Sequence, residues 1–255
     1  VRAQFIAPSR RAPVLPDDGV VNRLARFAIP DHGGFALVRD ANAGDVLTYS
    51  WEQNDNASSA QTGTGSVASA TKATGPNWMS FAPSTSPTRY FPKLSTILAG
   101  GLVSGPLAGG DAGANTEALS SVSRTLNFRL TVRDNAPFSS AAPVSVGQTQ
   151  FADAVVTVSN TSGPFSVTAP NTAVSWAGNS AQTITWAVAN TTAAPVSCAN
   201  VKISISTNGG TTFTTLVAST PKDGTQAVTI PNTPSTTARI KIEAVGNIFF
   251  DISNA

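Results

Sequence analysis

The sequence predicts an all-β protein built of two tandem antiparallel β-sandwiches, with long loops in the first. Three observations lead to this fold class. Runs of alternating apolar and polar residues recur along the chain, as expected of strands with one buried face. Clusters of Gly, Pro, Asn, Asp, Ser and Thr separate these runs and favour turns. No segment carries the apolar period of an amphipathic helix.

Composition indicates the setting of the protein. At 255 residues the chain is long enough for one large or two ordinary domains. Apolar residues make up 41% of it and support a core, whereas charged residues make up only 12%. This charge content is well below the usual quarter, and together with abundant Thr, Ser and Ala it is typical of secreted β-proteins. We therefore expect a secreted, extracellular or cell-surface location.

The first domain is expected to span residues 1–160 and to begin with an irregular segment. Prolines interrupt residues 1–30, which leaves one candidate strand near residues 26–29. Arginines are concentrated in the same region: Arg2, Arg10, Arg11, Arg23, Arg26 and Arg39. No aromatic or glycine pattern accompanies them. We therefore favour a solvated segment over a nucleic-acid-binding arm, and we expect no nucleic-acid partner.

The core strand of the first domain follows an acidic turn. Leu47, Tyr49 and Trp51 alternate with polar residues and fall on one face of a strand. Residues 56–74 are small and polar, and predict a long surface loop. Trp78 and Phe81 are expected to cover one edge of the core. Prolines then predict irregular structure over residues 83–92, residues 100–113 are Gly-rich, and residues 117–122 are expected to form a helical turn.

Two strands complete the first domain. Residues 125–132 direct Leu126, Phe128, Leu130 and Val132 inward, and residues 151–158 form the closing strand. Residues 159–164 (S-N-T-S-G-P) have the composition of a linker. The domain boundary is therefore placed at residue 160.

The second domain, residues 161–255, shows short strands at regular spacing. Strands are predicted over residues 165–169, 183–188, 201–206, 213–217, 226–230 and 238–244. A hairpin turn is expected at residues 208–210 (N-G-G), because Asn and Gly tolerate positive φ angles, and another turn is expected at residues 222–224 (K-D-G). About seven strands at this spacing indicate an Ig-like or fibronectin-III-like sandwich.

Residues able to carry catalysis are sparse. A zinc peptidase needs two histidines one helical turn apart, but His32 is the only histidine. No G-x-S-x-G motif is present, and none of the 14 acidic residues is expected beside a cluster of exposed aromatic side chains. The single cysteine, Cys198, is expected to be a small buried apolar residue. We therefore predict that the chain is not an enzyme. No apolar run approaches the length of a membrane span.

Calcium is the one ligand that the sequence suggests. Asp40, Asn42 and Asp45 surround Gly44, and strand pairing is expected to bring Asp134 and Asp153 to the same end of the sandwich. Ca²⁺ prefers such oxygen ligands. The alternative is that Asp and Asn simply favour turns. In the second domain, Glu243 and Asp251 near Asn247 form a weaker candidate of the same kind.

The four tryptophans divide into two groups. Trp51 and Trp186 belong to strand patterns and are expected in the cores. Trp78 and Trp176 lie outside such patterns, and are candidates for stacking against a sugar.

Several motifs, in order along the chain, resemble a known family. They are residues 47–55 (L-T-Y-S-W-E-Q-N-D), 87–92 (P-T-R-Y-F-P), 127–135 (N-F-R-L-T-V-R-D-N), 155–165 (V-T-V-S-N-T-S-G-P-F), 201–210 (V-K-I-S-I-S-T-N-G-G) and 242–254 (I-E-A-V-G-N-I-F-F-D-I-S-N). This format resembles the non-catalytic C-terminal region of secreted, reprolysin-like zinc metallopeptidases of Bacteroidetes-type bacteria. The acidic turn and the strand that follows it, residues 40–51, are more loosely similar to polycystic-kidney-disease-type and cadherin-like modules, some of which bind calcium.

The resemblance implies an accessory role beside a catalytic zinc metallopeptidase domain in cis. The zinc-binding helix of that family has no counterpart in this chain, so no catalytic residue is assigned. The region is expected to bind a protein or glycan surface, or to space the catalytic domain from the cell. A cell-surface adhesion module and a carbohydrate-binding module are the alternatives.

Overall fold

The computed structural model describes residues 4–6, 46–141 and 146–255, and confirms the all-β class. The arginine-rich segment, the strand near residues 26–29, His32 and the predicted ligands Asp40, Asn42 and Asp45 lie outside the described residues. The described helical elements are α1 (Leu94–Leu98) and two 3₁₀ turns, Ser59–Gln61 and Gly63–Ser66. The strands are β1 (Gln4–Ile6), β2 (Thr48–Gln53), β3 (Val103–Ser104), β4 (Glu117–Ala118), β5 (Arg124–Arg133), β6 (Thr149–Ser159), β7 (Ser166–Ala169), β8 (Ala181–Ala187), β9 (Asn200–Ser206), β10 (Thr214–Pro221), β11 (Thr225–Thr229), β12 (Arg239–Val245) and β13 (Phe250–Ile252).

A four-stranded antiparallel sheet, ordered β1-β6-β5-β2, organises the first part of the chain, which we call the first unit. The side chains of strand β5 that were predicted to point inward, Leu126, Phe128, Leu130 and Val132, are almost fully buried. Tyr49 and Trp51 of β2 are buried beside them. The first core comprises Tyr49, Trp51, Trp78, Leu119, Leu126, Phe128, Leu130, Val132, Val156 and Val158.

An irregular segment, residues 77–120, covers the inner face of this sheet. It contributes Trp78 and Leu119 to the first core, and Phe91 packs against that core at 4.8 Å from the Phe128 ring. The helical turn predicted for residues 117–122 is wrong, because Glu117 and Ala118 form β4 and pair with β3. Buried hydrogen bonds to the Glu117 carboxylate, described below, hold this backbone extended.

The second part of the chain, the second unit, consists of two antiparallel sheets packed face to face. Their strand orders are β11-β8-β7 and β10-β9-β12-β13. Both sheets contribute to the second core, which includes Val167, Ile184 and Trp186 from one sheet and Ile203 and Ile242 from the other. In the described part of the chain, no sheet combines strands from before residue 160 with strands from after it.

Turns of the second unit follow the sequence pattern. Gly209 and Gly210 adopt φ angles of 70° and 88° between β9 and β10, which favours glycine at both positions. Gly224 adopts a φ of 104° in the turn between β10 and β11. The predicted turns are therefore present at both places.

The two units contact each other directly. The Tyr90 ring of the first unit lies 5.5 Å from the Phe250 ring of the second, edge to face. Ile248 of the second unit packs against the first core. A Cβ added at Gly210 would lie 2.4 Å from Leu98 Cδ2, so the glycine permits close approach of α1.

Among the described residues, no helix combines the length and the apolar content required to cross a bilayer.

Candidate functional site

Asp134, one of the predicted calcium ligands, lies at the end of β5. Its side chain is buried, and its Oδ1 accepts hydrogen bonds from the backbone N–H groups of Ala136 (3.1 Å) and Gln148 (2.8 Å). The neighbouring Asn135 donates from Nδ2 to Val46 O at 2.8 Å. The end of β5 therefore lies beside the residue that follows Asp45 in the chain.

Asp153, another predicted calcium ligand, is not brought to that end. It pairs with Arg129 across the outer face of the sheet, through two hydrogen bonds of 2.7 and 2.8 Å. It lies four positions along β6 from Thr149, which is opposite Arg133. At about 3.3 Å per residue this is about 13 Å along the strand. The Arg129 guanidinium also lowers the pKa of the Asp153 carboxyl, mainly through its hydrogen bond.

The second calcium candidate is wrong in its geometry. Glu243 and Asp251 lie on opposite faces of their sheet, because Asp251 is opposite Ile242, the neighbour of Glu243. Asp251 Oδ2 accepts a hydrogen bond from Val167 N at 2.8 Å, toward the second core. Over the described residues, no group of three or more His, Cys, Asp or Glu side chains is arranged to hold a metal ion.

The two candidate sugar-stacking tryptophans occupy different environments. Trp78 is only 4% exposed and packs edge to face against Phe91 at 5.4 Å, so it covers the first core as expected and is not available to a sugar. Trp176 is half-buried, packs against the second core and lines an open cleft. Neither tryptophan belongs to a periodic pattern that would have separated the two.

This cleft, which we call the end cleft, lies at one end of the second unit, where β7, β9 and β11 end and β12 begins. Its volume is about 940 Å³. The buried side chains of Ile205, Ile230 and Ile240 belong both to its lining and to the second core. Trp176 lies on the β7–β8 loop, and residues 231–238 contribute a further wall.

The wall over residues 231–238 (P-N-T-P-S-T-T-A) is uncharged and rich in hydroxyl and amide groups. Arg239 is the charged side chain of the lining, and its Nη1 donates to Ser253 O at 3.2 Å. Among the residues that the structure describes, no Asp, Glu or Lys side chain lines the cleft. It therefore combines an aromatic and aliphatic base with neutral polar groups, a composition typical of small-ligand sites.

A buried ion pair between Arg89 and Glu117 fixes the irregular cover of the first sheet. Glu117 has no exposed surface, and its Oε1 lies 2.7 Å from Arg89 Nη2. Its Oε2 accepts hydrogen bonds from Ser104 Oγ (2.8 Å) and Lys93 N (2.9 Å). Sequence patterns missed this pair, because 28 residues separate the partners.

The Arg89 guanidinium is held on several sides. It donates to the carbonyl oxygens of Trp51 (2.9 Å) and Met79 (2.5 Å), and lies 4.6 and 4.5 Å from the ring centroids of Phe81 and Phe91. Burial lowers the pKa of Arg89, while the hydrogen bond and the charge of Glu117 oppose that shift. The pair thus links strand β2 to three separate parts of the covering segment.

Lys222, which the sequence predicts in a turn, is the centre of a second cluster of buried polar side chains. The side chain is only 3% exposed, its Nζ donates to Thr191 Oγ1, and it lies 4.8 Å from the Phe249 ring centroid. Burial lowers the pKa of Lys222 to about 8, and interaction with Cys198 opposes this shift. Burial also raises the pKa of the Cys198 thiol, against the effect of Lys222. Cys198 is buried as predicted.

Charged side chains lie on the outer face of β12, close to the first unit. Glu243 forms ion pairs with Lys202 (2.9 Å) and Lys241 (2.5 Å), and Glu243 and Lys241 are both buried. Burial raises the pKa of Tyr90, and the charge of Glu243 adds to this shift. Tyr90 of the first unit therefore lies close to the charged face of β12.

Comparison with family models, with curated proteins and with solved structures returns no match for this chain.

Proposed function

We propose that this chain is a non-catalytic accessory region of a secreted bacterial zinc metallopeptidase. It binds a protein or glycan surface and spaces the catalytic domain, which lies elsewhere in the same polypeptide. The ordered series of motifs between residues 47 and 254 supports this proposal. Its structural basis is a pair of β-units in which polar side chains brace the fold.

The contact between the two units is the observation that carries the spacing role. Two units joined only by a linker would reorient freely, whereas here Ile248 packs against the first core and Tyr90 packs against Phe250. Such contacts favour a fixed arrangement of the two units. A fixed arrangement is what a spacer between a catalytic domain and a surface requires.

The strand order supports a fibronectin-III-like second unit within this proposal. Its three-stranded sheet pairs the first, second and fifth of its strands, and the other four form the second sheet. This division of seven antiparallel strands is the arrangement used by many extracellular binding and spacer modules. We likewise propose a polycystic-kidney-disease-type or cadherin-like origin for the first unit.

The use of buried carboxylates also supports an accessory role. In the described part of the chain, Glu117, Asp134, Glu243 and Asp251 are buried, and each is bonded to a neighbouring cation or backbone N–H. A general acid or base must instead face a space that substrate can enter. These four side chains act as internal braces.

Calcium binding by the first unit is part of the proposal. Asn135, at the end of β5, donates to Val46 O, and Val46 directly follows Asp45 in the sequence; this supports grouping Asp134 with the predicted ligands Asp40, Asn42 and Asp45. Asp153 is left out of this proposed group because it pairs with Arg129.

Deletion in the full-length protein tests the proposed function. We expect the coding sequence upstream of this chain to contain the zinc-binding motif H-E-x-x-H-x-x-G-x-x-H. Removing residues 1–255 should leave cleavage of a short soluble peptide unchanged, and reduce cleavage or retention of a large or surface-bound substrate. An upstream sequence without that motif favours the adhesion alternative. Hydrolysis of protein or glycan by the purified chain alone would contradict the proposal.

A further inference from the structure

We propose that the end cleft of the second unit is a glycan-binding site, with Trp176 as its stacking platform. This inference rests on the proposed binding role and names the site and the ligand class. The cleft volume of about 940 Å³ is at the upper end of the range for small-ligand sites. That volume suits an oligosaccharide segment better than a single ion.

The aromatic component comes from Trp176 on the β7–β8 loop. The indole is anchored, because it packs against the second core, and it retains accessible surface in the cleft. A pyranose ring presents a face of C–H groups, which packs on an aromatic plane and excludes water. An anchored indole loses little conformational freedom when a ring binds it, which favours affinity.

The polar component comes from the loop between β11 and β12. Asn232, Thr236 and Thr237 line the cleft and are exposed, so their amide and hydroxyl groups are available to ligand hydroxyls. Asn232 is positioned by close packing, since a Cβ added at Gly178 would lie 2.3 Å from its Oδ1. Neutral groups that both donate and accept hydrogen bonds match the hydroxyl rim of a sugar.

Charge distinguishes this ligand from a peptide. Among the described lining residues no side chain is a carboxylate or a lysine, and Arg239 already donates to Ser253 O. The basic side chains of a peptide would therefore find no acidic side chain to pair with, and acidic ones would find one guanidinium that is partly engaged. A hydroxyl-rich neutral ligand fits the lining best.

Binding of the full 255-residue chain to an array of neutral glycans, acidic glycans and peptides tests the inference. We expect retention of neutral glycans, followed by measurable heat when a retained oligosaccharide is titrated into the protein. Retention of peptides alone, or of no array member, would overturn the inference. If glycan binding fails but the chain still binds a protein substrate through another surface, the proposed function stands and only the glycan-site inference is rejected.

Two variants locate the site, and a third controls for loss of an aromatic side chain. Trp176→Ala removes the platform, whereas Thr236→Trp fills the cleft without removing a core contact. Each should raise Kd for the oligosaccharide at least about tenfold, the loss typical of a central contact residue. Phe151→Ala removes an aromatic that is 61% exposed on the first unit, and should leave Kd unchanged. Unchanged Kd for folded Thr236→Trp would overturn the inference.

Discussion

Replacement of Glu117 by Gln should strongly destabilise the first unit. The substitution keeps the shape of the side chain but removes the charge that faces the buried Arg89 guanidinium. It also replaces one acceptor oxygen by an N–H₂ group, which cannot accept the hydrogen bonds from Ser104 Oγ and Lys93 N. Arg89 would then face a neutral amide in place of its counter-charge, beside its carbonyl acceptors and its two aromatic neighbours.

The expected size follows from the burial of the pair. Breaking a buried ion pair by removing one partner costs about 3–5 kcal/mol. The Arg89 side chain retains 12% exposure and its bonds to Trp51 O and Met79 O, so the lower end of this range applies. We therefore expect a loss of about 3 kcal/mol. With a urea dependence of about 2 kcal/mol per molar, the unfolding midpoint should fall by about 1.5 M.

Urea unfolding followed by tryptophan fluorescence measures this effect, because Trp51 and Trp78 both belong to the first core. Asp153→Asn is the matched control, since it breaks an ion pair on the exposed face of the same sheet and should scarcely move the midpoint. The double variant Arg89→Met, Glu117→Gln should lose less than the sum of its single variants. A loss below about 1 kcal/mol for Glu117→Gln would refute the bracing role of this pair.

Three further predictions concern other features of the molecule. Lys222 has a folded-state pKa of about 8, below its ordinary value of 10.5, so the unfolded chain binds more protons between these values and stability should rise with pH across that window. The test uses a Cys198→Ser background, which removes the titrating thiol. In that background Lys222→Met should abolish the rise of melting temperature with pH and increase stability at neutral pH. If the rise persists, a group other than Lys222 causes it. Addition of Ca²⁺ should raise the melting temperature of the first unit, because a ligand that binds only the native state stabilises it. Asp45→Ala should remove this increase. If titrated Ca²⁺ produces no heat and a chelator leaves the melting temperature unchanged, the calcium proposal is rejected. Tyr90→Ala should separate the thermal transitions of the two units in calorimetry, because it removes the ring contact with Phe250, whereas transitions that remain coincident would show that this contact does not couple them.

Sequence reasoning succeeded where the signal was local. The alternation of Leu126, Phe128, Leu130 and Val132 determined both the position of β5 and its buried face. In the second unit, each predicted strand overlaps an observed one, because short runs of alternating apolar and polar residues, separated by turn residues, are visible in the sequence itself.

The remaining features depend on contacts between residues far apart in the chain. Glu117 was predicted in a helical turn, because no local pattern reveals that its partner is Arg89. Helix α1 has only five residues, too few to display a helical period. Lys222 was predicted only as part of a turn, because turn chemistry says nothing of burial. The end cleft is likewise formed by loops and strand ends that meet only in the folded unit.

The packing of Ile248 against the first core bears on how such regions spread between proteins. A gene fragment that ends near residue 160 would encode a first unit deprived of an apolar contact supplied from outside it. The complementary fragment would present Ile248 and Phe250 to water. Recombination that moves this region into a new protein should therefore transfer both halves as one cassette.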